Sequence, residues 1–195
     1  MKTRTVLGFF LALTGALGLF VPESHAALRK TKSGYYITGT GIRVKEVLLV
    51  DVEVYAATHY MKVVPNPPTK SAVIEANVDK AMVLKMLRDV DLDRIVDGIK
   101  EGYQRNGWED MAQVEHLFGI LVDDLEEGES FQVMYDADKE TTTAISGDRT
   151  RKASVRGRDF MRATWSTWFA KIDSPGLGDQ LLQYVVPLPD SQKGR

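Results

Sequence analysis

From Tyr35 to Met61 the chain is dominated by Val, Ile, Thr and Tyr, with Gly34, Gly39 and Gly41 as punctuation. β-branched and aromatic residues at this density pack well on a pleated surface, so the segment is predicted to form strands. Side chains alternate across a strand. Val52, Val54, Ala56, Thr58 and Tyr60 therefore share one face, and Glu53, Tyr55, Ala57, His59 and Met61 share the other. Strands of this kind need partners, which commits the chain to a sheet. Pro65-Asn66-Pro67-Pro68 then forces a loop, because proline lacks the N–H that a strand or helix interior requires.

Beyond that loop, Ala72-Val73-Ile74 and the apolar positions from Met82 to Leu87 predict two more strands. Asp91 stands where a helix N-cap belongs, and Leu92, Ile95, Val96, Ile99 and Tyr103 recur at helical spacing until Asn106-Gly107. A second helix is predicted from Glu109 to Leu125, burying Met111, Val114, Phe118, Leu121, Val122 and Leu125. Phe131–Tyr135 and Thr141–Ile145 alternate like a hairpin, and Ala153–Val155 adds a short strand. Arg158–Ala170 reads as a helix and Leu177–Tyr184 as a last one. Strands, then helices, then strands again, with no regular βαβ alternation, give the α+β class and a single domain over residues 27–195.

Residues 1–26 read as an address. Lys2 and Arg4 precede an uncharged apolar run from Val6 to Val21, and Ser24-His25-Ala26 offers the small-x-small pattern of a signal peptidase site. The run has 16 residues, short of the roughly 20 that span a bilayer. Cleavage after Ala26 and a periplasmic or secreted destination are therefore expected, with no membrane segment left in the mature protein. The chain contains no cysteine, which excludes disulfides, thiolate catalysis and Cys-ligated metals. Its formal net charge is −2 with no basic cluster, which argues against nucleic acid as a partner.

His59 and His116 have no metal-binding spacing, and His116 is expected to face solvent or to be capped. No GxSxG elbow and no phosphate-binding loop occurs, and Gly39-Thr40-Gly41 lacks the third glycine of a dinucleotide fingerprint. Neither a metal nor a cofactor is expected. The run Asp123-Asp124-Leu125-Glu126-Glu127 reads as a solvated helix end, Arg88-Asp89 as a structural ion pair, and Trp165 and Trp168 as core anchors.

Three stretches taken in order resemble the chalcone isomerase-like family. They are Gly39-Thr40-Gly41-Ile42-Arg43-Val44-Lys45 leading to Val54-Tyr55-Ala56-Ala57-Thr58-His59-Tyr60-Met61; Met86-Leu87-Arg88-Asp89-Val90-Asp91 running into Gly102-Tyr103-Gln104-Arg105-Asn106-Gly107; and Gly157-Arg158-Asp159-Phe160 with Trp165-Ser166-Thr167-Trp168-Phe169. Their order and spacing are similar to the family's exported bacterial branch. The resemblance implies an open-faced β-sandwich: a large antiparallel sheet with helices on one face and a short-stranded sheet on the other. The family's plant enzymes close a chalcone into a flavanone with an Arg, a strand Thr twelve residues later, a helix Tyr and Asn seven apart, and a late Ser or Thr. The Arg carries over to Arg43, but the other positions fall on Tyr55, Ile95, Gly102 and, near the end, Met161. Apolar residues there cannot hold a catalytic water or donate to a developing enolate, which argues against isomerisation.

Arg43 and Tyr55 remain. In a hairpin centred near Leu49 they face each other, and a guanidinium beside a phenol is a receptor for a carboxylate. The family's fatty-acid-binding members keep such a pair. Binding of a small apolar carboxylate such as a fatty acid, by Arg43 and Tyr55 with Tyr103 as a further contact, is therefore the expected function. Two alternatives stay open: an isomerase or lyase with Arg43 as electrophile and Tyr55 as acid, and a protein-interaction module. In the plainer structural reading, Arg43 pairs with an acid such as Glu53, Tyr55 packs at a sheet edge and Tyr103 belongs to the core.

Overall fold

The computed structural model describes residues 29–174 and 176–185. The leader read at residues 1–26 lies outside them. Strands β1 (Tyr36–Val47), β2 (Val50–Met61), β3 (Lys80–Met86), β4 (Ser130–Asp136), β5 (Thr141–Ser146) and β6 (Lys152–Arg156) form one antiparallel sheet in sequence order. Helices α1 (Lys70–Glu75), α2 (Leu92–Arg105), α3 (Met111–Phe118), α4 (Arg158–Phe169) and α5 (Leu177–Gln180) accompany it. The α+β class is as expected. Among the described residues there is one sheet only; a second, short-stranded sheet is not formed.

The buried face of the sheet is the one carrying Ala57, His59 and Met61 on β2, Met82 and Leu84 on β3, Phe131, Val133 and Tyr135 on β4, and Ala144 on β5. Helix α4 buries more residues over it than any other helix, with Phe160, Met161, Thr164, Trp165, Trp168 and Phe169 all buried. The opposite face is half-buried and carries hydroxyl pairs across strands, Thr40 with Thr58 at 3.2 Å and Thr143 with Ser154 at 2.8 Å.

Several elements differ from the sequence reading. Residues 70–75 are helix because Thr69 caps them, its Oγ1 accepting from the Ala72 N–H at 3.1 Å, and only Val73 is buried. Helix α3 stops at Phe118. The chain after Gly119 leaves the helix so that Leu125 can bridge to Val90, and Val122 ends up exposed. The acidic run is thus no helix end: Asp124 accepts from the Leu92 N–H at 2.8 Å and caps α2, a task that the Asp91 side chain does not perform. Asp89 accepts from the Glu127 N–H and makes no ion pair with Arg88. Helix α5 ends at Gln180, four residues short of its expected end.

Residues after α5 are stitched to β1 by Tyr184 N–H to the Thr38 carbonyl at 3.0 Å and by Gln183 Nε2 to the Thr40 carbonyl at 2.6 Å. That closeness explains two glycines. A Cβ at Gly39 would stand 2.2 Å from the Gln180 carbonyl oxygen, and one at Gly41 would stand 2.7 Å from Leu177 Cδ1.

A buried polar chain crosses the core. Trp165 Nε1 donates to His59 Nε2 at 3.0 Å, so the ring proton belongs on Nδ1, which faces Thr38 Oγ1 at 2.7 Å; that hydroxyl donates to the Leu181 carbonyl at 2.8 Å. Burial, helped by the charge of Lys80, pushes the His59 imidazole down to about 3. Lys80 is itself buried. Its Nζ donates to the Val73 and Ile74 carbonyls at 2.7 and 3.2 Å and lies 4.8 Å from the centroid of the Trp165 ring, and burial pushes it down to about 7.

Two predictions follow from these contacts. His59 stays neutral in the fold down to about pH 3, while the unfolded chain takes up a proton near its ordinary value of 6.5. Stability therefore falls as pH drops below 6.5, and urea unfolding at pH 5 is expected to give about 2 kcal/mol less than at pH 7. His59→Gln is expected to flatten that difference. The β1–β2 turn is built from Leu48 (φ 51°) and Leu49 (φ 66°), a left-handed pair that favours Asn-Gly. Leu48→Asn with Leu49→Gly is expected to add about 1 kcal/mol, or roughly 2–4 °C in Tm by reversible thermal unfolding.

Candidate functional site

β1 and β2 pair in regular register from the turn, Val47 with Val50 down to Val44 with Glu53. Continued unchanged, Arg43 would face Val54. A bulge at that point shifts the register by one residue and sets Arg43 opposite Tyr55. The bulged Val54 keeps its carbonyl occupied by the Leu87 N–H at 3.0 Å. The expected pairing is therefore present, although the hairpin turns at Leu48-Leu49 and the bulge makes up the difference.

Tyr55 shares the inward face of β2 with Ala57 and His59, and its ring packs against the core. Its hydroxyl accepts from Trp168 Nε1 at 3.2 Å, which leaves the phenolic proton free to donate. The Arg43 guanidinium carbon lies 5.8 Å from the Tyr55 ring centroid. Arg43 does not pair with Glu53. Its Nη2 donates to both oxygens of Asp173, at 2.7 and 2.9 Å, across 130 residues of sequence. Burial works against the Arg43 charge, but Tyr55 and Asp173 outweigh it and hold the guanidinium above its ordinary value.

Asp173 reaches this position because the turn after α4 is tied down on both sides. Asn106, the C-cap of α2, donates to the Lys171 carbonyl at 3.0 Å and accepts from the Lys171 N–H at 3.0 Å. Ser174 Oγ accepts from the Val44 N–H at 3.1 Å. Arg105, on the last turn of α2, brings its Nη1 to 3.7 Å from the same carboxylate. Two guanidinium groups thus converge on one carboxylate, next to a phenol, at the edge of an aromatic core in which Trp165 and Trp168 meet edge to face at 6.3 Å.

Tyr103 is placed elsewhere. It is fully buried, stacks on Phe160 at 5.7 Å and bonds Thr164 Oγ1 at 2.8 Å; Arg43 and Tyr55 share neither partner. Burial raises its phenol, with the Thr164 hydrogen bond opposing. Its geometry is that of a core residue. Trp168 is both a core anchor and a partner of Tyr55. Asp173 and Arg105 were not foreseen, since no spacing relation joins them to Arg43. Ile95 lies half-buried on α2, a Cβ at Gly102 would make an ordinary contact with Thr167 at 3.6 Å, and Met161 is buried in α4. No group of three or more His, Cys, Asp or Glu residues able to hold a metal ion occurs among the described residues, and His116 is exposed. A separate surface cavity of about 280 Å³ lies near Leu121, Glu129, Ser146, Asp148 and Arg151, and neither Arg43 nor Tyr55 lines it.

No curated protein matches the chain. A solved structure similar to it is the crystal structure of a fatty-acid binding protein from Arabidopsis thaliana. That likeness has a TM-score of 0.62 at 14% identity, and covers 80% of this chain and 90% of the plant one, so it is a likeness of fold. The family model described as chalcone isomerase-like matches residues 23–182, which takes in the whole sheet and all of the helices up to α5. The chain belongs to the chalcone isomerase-like family.

Proposed function

We propose that this is an exported, non-catalytic binding protein for a small apolar carboxylate such as a fatty acid, with Arg43 as the headgroup anchor and Tyr55 beside it. The observation that carries the reading is that a carboxylate, that of Asp173, already occupies Arg43, next to a phenol with a free proton. A ligand headgroup would use the same chemistry. It would take the Arg43 donors that Asp173 leaves free or displace Asp173, and Arg105 would balance the second negative charge. Each charged hydrogen bond contributes about 1.5–3 kcal/mol net, and each methylene removed from water about 0.8 kcal/mol. The tail would therefore dominate affinity while Arg43 sets orientation. Trp168, whose indole donates to the Tyr55 hydroxyl, would meet the first methylenes of the tail, while Tyr103, packed in the core against Phe160 and bonded to Thr164, would be reached only by displacing that packing. That a similarly folded plant protein is a fatty-acid binding protein supports the same class of molecule. Export rests on the basic, apolar and small-x-small pattern of residues 1–26.

Denaturing mass spectrometry of an organic extract of the purified protein is expected to show a stoichiometric acyl species that is missing from Arg43→Ala. An empty wild-type protein that also fails to bind added long-chain fatty acid overturns the reading. Asp173→Asn removes the internal competitor while sparing most of the packing, and is expected to tighten fatty-acid binding about tenfold in a titration. If binding exists and Arg43→Ala leaves it unchanged, the headgroup assignment is wrong.

A further inference from the structure

The tip of the β1–β2 hairpin is the most exposed apolar point among the described residues. Leu48 is 93% exposed, Leu49 91% and Val50 61%. The turn is also a poor one for leucine, since both leucines lie in the left-handed region, where L-residues with a branched side chain are disfavoured. Asn-Gly would form the same turn without strain and without showing hydrocarbon to water. The fold thus carries backbone strain and solvent-exposed leucine at one place, and neither leucine has a packing role that could account for it.

From this tip we infer a docking finger for a neutral, zwitterionic lipid surface. The tip is too small to hold a protein. Three side chains fall far short of the roughly 800 Å² per partner of a standard protein interface, so neither a second copy nor a globular partner would be retained by it. A bilayer interface asks for no shape complementarity and takes up protruding leucines readily. Charge selects the kind of surface. The exposed charged residues flanking the tip are Lys45, Glu46, Asp51 and Glu53, one cation against three anions, so an anionic membrane would repel the finger. Arg43 stands four residues from Val47, the last residue of β1 before the turn, roughly 13 Å at the rise of a β-strand. The finger does not depend on Arg43 binding an acid, but it would bring that site close to the surface from which such acids come.

The absence of cysteine makes the test direct. Leu49→Cys in the full chain carries one polarity-sensitive fluorophore at the tip, and Asp138→Cys carries it in the exposed β4–β5 turn as a control. With phosphatidylcholine vesicles, a blue shift at position 49, quenched by brominated acyl chains and absent at position 138, is expected. Adding Leu48→Asp and Val50→Asp is expected to abolish it. Because the readout is at the tip, attachment through the apolar segment at residues 6–21 cannot imitate it. No shift at position 49, a shift only with anionic vesicles, or a shift that survives the two aspartates overturns the inference. Arg43→Ala is expected to leave the shift intact while losing the extracted acid, so failure of the ligand reading and failure of the finger give different results.

Discussion

Arg43 faces Tyr55 because β2 holds one residue more than β1 needs. The bulge at Val54 comes just where the hairpin passes from its exposed tip to the part covered by α4, and it turns the register by one residue. Without it, the pairs from Arg43 to Gly39 would slip, up to the second register shift between Ile37 and Gly39, and in a strand a slip of one residue exchanges the buried face for the exposed one. Arg43 would then look across at an aliphatic side chain, and Asp173 and Trp168 would address different groups. The local cost of an unpaired residue is met by the Val54 carbonyl bonding to the Leu87 N–H, so the irregularity is anchored in the neighbouring strand.

The second constraint is the polar chain from Trp165 through His59 and Thr38 to Leu181. It joins α4, the two strands of the hairpin and the segment after α5, all through groups with little or no access to water. A buried imidazole is tolerable only when both nitrogens are satisfied and the ring is neutral, and this chain fills both. It fixes the height of α4 over β2, and with it the place where Trp168 can reach the Tyr55 hydroxyl one helical turn later. Lys80, against the Trp165 ring and the last carbonyls of α1, adds a second buried polar group with its donors engaged. Few of the core's polar groups are idle, which suits a domain that has no disulfide to hold it.

Much of this was legible in the chain because its signals are local. Alternation in residues 35–61, the helical spacing before Asn106-Gly107 and the stripe on Arg158–Ala170 each depend on neighbours in sequence, and each element formed as expected. Errors came where local signals were weak or were overruled from afar. Ala72-Val73-Ile74 looks like a strand, yet a single threonine cap and the buried Lys80 amine make it a helical turn. The helix expected to run on to Leu125 ends at Phe118, because Asp124 is drawn away to cap α2 and Leu125 bridges to Val90. Tyr103 has the period of a core residue and sits in the core.

The sequence by itself determined the α+β class, the hairpin that carries Arg43 and Tyr55, and the resemblance that identifies the family. These follow from periodicity, turn chemistry and motif order, all short-range properties of a chain. Tertiary structure alone decided that Arg43 meets a carboxylate from residue 173, that Arg105 converges on it, and that a pair of leucines is left standing in water at the hairpin tip. Contacts across 130 residues depend on how α4 is seated, and exposure depends on what fails to cover a side chain. Neither is written in any local pattern, because each is a property of the packed whole.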